Sequence, residues 1–196
     1  MRLRFLLTTL VFCLLLSASA ALAQTGKKVL MVVAYRDFHD TEYKETRAAL
    51  EGAGTAITVT STKVGRAKGQ KGAYAPVDVA LDEARPDGFD AVVFIGGKGC
   101  FELWKNADAA ALAKSAAAQG KIVGAICAAP VILARAGVLQ GKKGTVAGGA
   151  PGGVGELKDG GCIYVDQGVV RDGGVITANG PDSAAEFGAA IVEALK

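Results

Sequence analysis

The residue best placed to do chemistry is Cys127, in the stretch Ile122-Val123-Gly124-Ala125-Ile126-Cys127-Ala128-Ala129-Pro130. The apolar run Ile122 to Ile126 has the length and branching of a buried parallel strand. Ala128 to Ala136 is a run of good helix formers, with Pro130 where a first-turn proline is tolerated. Only the cysteine remains to make the turn. A strand that becomes a helix across one residue strains that residue's backbone and projects its side chain at the carboxyl edge of the sheet. This is the mechanics of a nucleophile elbow, and Ala125 and Ala129 supply the small neighbours that so tight a turn needs. The chemistry on offer is attack by a thiolate. A helix N-terminus, with unpaired N–H groups and a favourable dipole, is expected to lower the pKa of this thiol. The competing reading is a buried, inert cysteine at a strand end.

A nucleophile of this kind needs donors for the oxygen it charges. Gly96-Gly97, after the apolar run Asp90 to Ile95, can bring a bare N–H close to a developing oxyanion, as can the N–H of Ala128. His39, the chain's single histidine, lies in the Asp37 to Glu42 loop, where it either lines the site or faces solvent. The glycines do not read as a dinucleotide site. Neither Gly97-Lys98-Gly99 nor Gly148 to Gly155 follows the first strand in the G-x-G-x-x-G frame. No Cys-x-x-Cys occurs, so a zinc knuckle and a thioredoxin motif are both absent from the sequence.

The elements that must hold these residues alternate along the chain. Lys28 to Ala34 reads as a first buried strand, and Glu42 to Glu51 as a helix closed by Gly52 and Gly54. Thr55 to Thr60 is a second strand, and the basic, glycine-containing Lys63 to Lys71 an exposed loop whose charge could meet an anionic ligand but is usually just solvated. Asn106 to Gln119 is an alanine-rich helix, Gly144 to Ala147 a short strand, and Gly148 to Gly155 a loose connection. Ile163 to Asp166 and Val169 to Ala178, with a turn at Gly173-Gly174, read as short strands or a hairpin. Pro181 to Leu195 is the last helix, with Ser183 and Glu186 in capping-box spacing. Strands alternating with helices predict a mostly parallel sheet covered on both faces, with the ligand site at the strands' carboxyl ends. There the Asp37 to Glu42 loop, the Gly96-Gly97 loop and the elbow converge.

Residues 1–23 carry a basic start (Arg2, Arg4), an apolar run from Phe5 to Leu16, and the small-x-small end Ala21-Leu22-Ala23. They read as a secretory signal peptide cut before Gln24, against the alternative of an uncleaved anchor. The expected product is an exported protein, periplasmic or secreted, with no stable membrane insertion after cleavage and one domain over 24–196. Removing Arg2 and Arg4 takes the formal net charge from +3 to +1, which gives no reason to expect a nucleic-acid partner. Three cysteines remain (Cys100, Cys127 and Cys162), an odd count that leaves at least one thiol unpaired within the chain.

Four blocks in order resemble the ThiJ/PfpI superfamily: Asp37 to Glu42 (DFHDTE), Phe94 to Gly99 (FIGGKG), Ala125 to Thr145 around the elbow, and Val175 to Leu195. The resemblance spans essentially the whole of 24–196. It implies a flavodoxin-like three-layer α/β/α sandwich, a homodimer, no cofactor and no metal. By position it makes Cys127 the nucleophile, Glu42 its carboxylic partner, and the N–H groups of Gly97 and Ala128 the oxyanion hole. A carboxylate beside a thiolate is a like-charge pair, so one of the two should keep a proton. Protease-like members carry a histidine after the elbow cysteine, where this chain has Ala128, so the peptidase or amidase reading is the weaker one. Cys162 stands where a relative has a histidine near its active cysteine, which suggests that Cys100, Cys127 and Cys162 surround one pocket. Cys100 and Cys162 would then form a disulfide, or one of them would resolve a sulfenic acid on Cys127, or one is simply buried. The expected function is a cysteine-dependent, glyoxalase- or deglycase-like enzyme. Its partner would be a small electrophile, such as a reactive carbonyl, or a protein modified by one. The alternative is a non-catalytic redox-responsive or protein-protective module read out by Cys127 oxidation.

Overall fold

In the computed structural model the described residues are 26–196, so the leader expected over 1–23 lies outside them. The chain builds β1 (Lys28–Val32), β2 (Arg36–Phe38), α1 (Asp40–Gly52), β3 (Ala56–Ser61), β4 (Gly65–Gly69), β5 (Tyr74–Val77) and β6 (Val79–Ala80). It continues with β7 (Ala91–Phe94), α2 (Cys100–Leu103), α3 (Ala107–Ala118), β8 (Ile122–Ile126), α4 (Pro130–Arg135), β9 (Lys143–Gly144) and α5 (Gly153–Asp159). β10 (Ile163–Tyr164), β11 (Val169–Asp172), β12 (Val175–Ala178), a 3-10 turn (Pro181–Ser183) and α6 (Ala184–Ala194) complete it. No helix among the described residues is long and apolar enough to cross a membrane.

Seven strands form the main sheet in the order β11-β12-β8-β7-β1-β3-β6. Every pairing in it is parallel except β11 with β12, the hairpin anticipated around Gly173-Gly174. The layering follows from side-chain alternation along β1. Leu30 and Val32 join one core, with Leu112, Ala113 and Ala116 of α3 and Val131 to Ala134 of α4. Val29 and Met31 join the other, with Tyr43 and Leu50 of α1 and Phe187 and Ile191 of α6. Each face is therefore covered by helices, and the fold is the flavodoxin-like α/β sandwich. α3 shows how weakly such a helix needs to be specified. Its inward stripe is three alanines and Leu112, and its start is fixed by Asn106 Oδ1 accepting the Ala109 N–H at 2.9 Å, a cap worth about 1 kcal/mol.

The structure departs from the sequence reading in four places. Lys63 to Lys71 is not a loop: Gly65–Gly69 is β4, antiparallel to β5 and parallel to β2, making a second, three-stranded sheet. Ala67 and Ala75 face its core at 0% exposure while Arg66 and Lys68 point out, so the charge disguises an ordinary strand alternation. The strand expected over Gly144 to Ala147 is only the two-residue β9, paired with β10. The connection expected over Gly148 to Gly155 is already helical at Gly153. Ser183 makes no capping bond; its Oγ donates to Asn179 Oδ1 at 2.9 Å, because a 3-10 turn precedes α6.

Candidate active site

The elbow forms as its sequence requires. β8 delivers Ile126 to the carboxyl edge of the sheet, and Cys127 turns the chain at φ 65, a left-handed backbone rare for a side-chain-bearing residue. Both ends of that residue are tied down. Its N–H donates to Ala178 O at 2.8 Å, and its carbonyl accepts the Ala147 N–H at 2.9 Å.

Glu42 arrives from the first turn of α1. His39 is the N-cap, and its Nδ1 accepts the Glu42 N–H at 3.5 Å. The Glu42 side chain is fully buried: Oε2 accepts the Gly96 N–H at 3.0 Å, while Oε1 receives no N–H or O–H from any described residue. A buried carboxylate oxygen without a donor is costly, and protonation is the resolution. Burial accordingly pushes the Glu42 carboxyl up to about 7, against the pull of Cys127 and the Gly96 N–H. The loop that brings these groups together tolerates no extra atom. A Cβ on Gly96 would lie 2.6 Å from Cys127 Cβ and 2.8 Å from Glu42 Oε2, and Gly97 (φ 108) would press one into the backbone of Asp37, Phe38 and His39.

The Cys127 thiol is pushed up to about 12, first by burial and then by the Glu42 charge, while the N–H groups of Gly97 and Ala128 draw it down. This corrects the expectation of a helix-activated thiol. α4 starts only at Pro130, three residues on, and spans six residues, too little to offset the neighbouring carboxyl. The coupling between these two hydrogen-bonded acids is the feature that sets the site's charge. At neutral pH the thiol keeps its proton and the carboxyl lies near its midpoint, and a thiolate forms only with the proton on Glu42. Gly97 and Ala128, expected to hold an oxyanion, both aim their N–H groups at the sulfur. They can pass to a nascent oxygen as the sulfur loses charge.

His39 does line the site, but its Nδ1 is spent on the helix cap. Burial and the charge of Lys71 hold its pKa below the ordinary histidine value, so at neutral pH the ring is uncharged. Cys100 and Cys162 part company. All three described cysteines are free thiols, so no bridge joins this pair. Cys100 lies at the start of α2, where burial first, and then the Cys127 and Glu42 charges, push its thiol up. Cys162 packs under β9 against Gly144 and beside Thr177, and does not line the cavity. A single pocket shared by three sulfurs is therefore not what the fold builds.

The sequence reading missed Trp104. Its Nε1 donates to Ala128 O at 2.8 Å, and the ring is braced edge-on by Phe101 and by Arg135, which is itself paired through two bonds to Glu156. The signal was available, since it is the chain's single tryptophan and a half-buried indole N–H seeks an acceptor. Trp104→Phe is expected to cost about 1 kcal/mol and to slow Cys127 alkylation several-fold, read by denaturation and by mass-spectrometric alkylation rates. Unchanged alkylation would mean that the indole does not steady the elbow.

Cys127 opens on a cavity of about 570 Å³ whose walls include Phe101, Ala147, Ala150, Pro151 and Pro181, with His39, Gln70 and Lys98 as the polar groups. Among the described residues no group of three His, Cys, Asp or Glu side chains is arranged to hold a metal ion.

Fold and site together define a flavodoxin-like protein with an elbow cysteine backed by a buried carboxyl. The DJ-1/PfpI family profile matches residues 27–194, and the chain belongs to that family. It is 45% identical over 170 residues to an uncharacterized protein of Methanocaldococcus jannaschii, covering 86% of this chain and 82% of that one. A protein named as a deglycase in Pyrococcus abyssi is 34% identical over 78% of this chain and 90% of its own length. A glutathione-independent glyoxalase of Caenorhabditis elegans is 31% identical over 87% and 89%. Among solved structures, the ThiJ/PfpI domain protein of Brachyspira murdochii superposes with a TM-score of 0.83 at 35% identity, covering 87% of this chain and 98% of that one.

Proposed function

We propose that this protein processes reactive carbonyl compounds by covalent catalysis at Cys127, as a glyoxalase- or deglycase-like enzyme. The observation that carries the reading is the buried Glu42 carboxyl hydrogen-bonded to Cys127, whose sulfur faces the N–H groups of Gly97 and Ala128 at the wall of an open cavity. The sulfur adds to an aldehyde carbon, and the oxygen that takes the electron pair is held by Gly97 and Ala128 N–H. With a 1,2-dicarbonyl, Glu42 first passes the thiol's proton to that oxygen. So deprotonated, it takes the proton from the attacked carbon to the adjacent one, while the hydroxyl proton moves to the neighbouring carbonyl oxygen. The first carbon is thereby oxidised to a thioester and the second reduced to an alcohol, with no external electron acceptor. Water releases the 2-hydroxy acid and restores the thiol. The relatives named deglycase and glyoxalase support the same chemistry. The reading extends to an exported homodimer, acting on free carbonyls or on their adducts with protein side chains.

The test is product formation. The protein is incubated with methylglyoxal, and with a methylglyoxal-treated peptide, and 2-hydroxy acid release is followed. We expect turnover that stops when Cys127 alone has been alkylated. Absence of product from both substrates, or turnover that persists after alkylation, sinks the proposal.

A further inference from the structure

The geometry points to an anionic substrate: a carbonyl compound with an apolar body and a carboxylate or phosphate end held by Lys98 and Lys71 at the mouth of the Cys127 cavity. The first observation is Lys98, the single charged side chain in the cavity wall and the residue directly after the oxyanion donor Gly97. It is exposed and makes no ion pair among the described residues. The second is the β4–β5 hairpin, the basic segment 63–71 that the reaction does not otherwise use. Its tip supplies Gln70 to the cavity wall, and the Lys71 charge is felt at His39 in the same wall.

That tip is built to stay in place. Asp40 at the start of α1 accepts the Lys71 N–H at 2.8 Å through Oδ2 and the Ala73 N–H at 2.7 Å through Oδ1. The remaining hairpin cations sort themselves. Lys63 lies over the Tyr35 ring at 4.5 Å and Arg66 over Tyr74 at 3.7 Å, so both are occupied; Lys68 and Lys71 make no such contact, and of these two Lys71 is the one next to Gln70 in the cavity wall. Of the nearby acids, Asp40 is taken up by backbone N–H groups and Glu42 is buried beneath the sulfur. Asp37 and Asp182, like Lys71, stand outside the cavity wall, which leaves Lys98 as the charge within it and Lys71 beside its neighbour Gln70 at the rim. The mouth is thus cationic and the walls apolar. Lysines recognise charge more than shape, which is why the class is an anion and not one particular headgroup.

The substrate class rests on the carbonyl reading, so the first experiment does not need turnover. Cys127 is alkylated at low ionic strength with iodoacetate and with iodoacetamide, and the rate ratio is normalised to that of a free cysteine peptide. Each exposed lysine is expected to favour the anion by roughly three- to fivefold, a preference that shrinks in high salt. The ratio should fall by that factor in Lys98→Gln, fall further in the Lys71→Gln/Lys98→Gln double variant, and be kept in Lys98→Arg. A wild-type ratio at or below that of the peptide overturns the inference. In the second experiment kcat/KM is compared for phenylglyoxal and for its 4-carboxy and 4-phosphono derivatives. Preference for either anion supports the inference and says which headgroup fits better; equal or poorer use of both overturns it. A protein inert towards every carbonyl would defeat the enzymatic reading while leaving the alkylation result to stand by itself.

Discussion

Glu42→Gln is expected to stabilise the protein above neutral pH while slowing it by about a hundredfold or more. The folded carboxyl titrates near 7, against 4.5 for the ordinary group. Between those two values the folded chain keeps a proton that the unfolded chain has lost. Stability from this group is therefore complete in mild acid and is withdrawn as pH rises from 4.5 towards 7. The gap corresponds to about 3 kcal/mol, or roughly 6–12 °C in Tm for a chain of this size. Glutamine keeps the acceptor for the Gly96 N–H and carries no charge at any pH, so its Tm should not show that decline. Scanning thermal denaturation of both proteins from pH 5 to pH 8 measures the difference. Parallel curves would remove the buried, proton-holding carboxyl from the account. The same exchange frees Cys127 from the charge that opposes its ionisation, so the thiol of the variant should titrate below the wild-type value of about 12. The loss of turnover would then be a loss of proton transfer and not of thiolate.

Gly97→Ala is expected to cost about 3 kcal/mol or more, from a strained positive φ and from overpacking. The atoms in the way belong to the backbone of Asp37, Phe38 and His39 and cannot swing aside as a side chain would. The same change moves the N–H that faces the sulfur, a displacement that removes oxyanion support worth about 10²–10³ in rate. Gly148→Ala is the control, since it has open space around it and no positive φ, and a shift within about 0.5 kcal/mol is expected there. Chemical denaturation of the two variants decides the matter; equal stabilities would mean that the loop yields freely.

Much of this was legible in the residues, for identifiable reasons. The parallel core strands are short apolar runs that each begin a few residues after a glycine, and the elbow reveals itself because a strand and a helix leave Cys127 no other conformation. What could not be read was depth and charge. The length of α4, the burial of Glu42 and the resulting upward push on Cys127 depend on how elements pack, which no spacing records. Cys162 was misplaced for the same reason, as its distance along the chain says nothing about the layer it enters. The β4–β5 hairpin was hidden by its lysines and Arg66, although Ala67 and Ala75 carried the alternation all along.

Two carboxyls at the head of one helix answer acid in opposite senses. Glu42 already holds its proton in mild acid, whereas the backbone N–H groups that Asp40 clasps hold its carboxyl, despite burial, below the ordinary range. Only strong acid, which protonates Asp40 after the ordinary carboxyls, reaches that clasp. There the finger bearing Gln70 and Lys71 is expected to loosen from the helix, and the chamber to give up a wall.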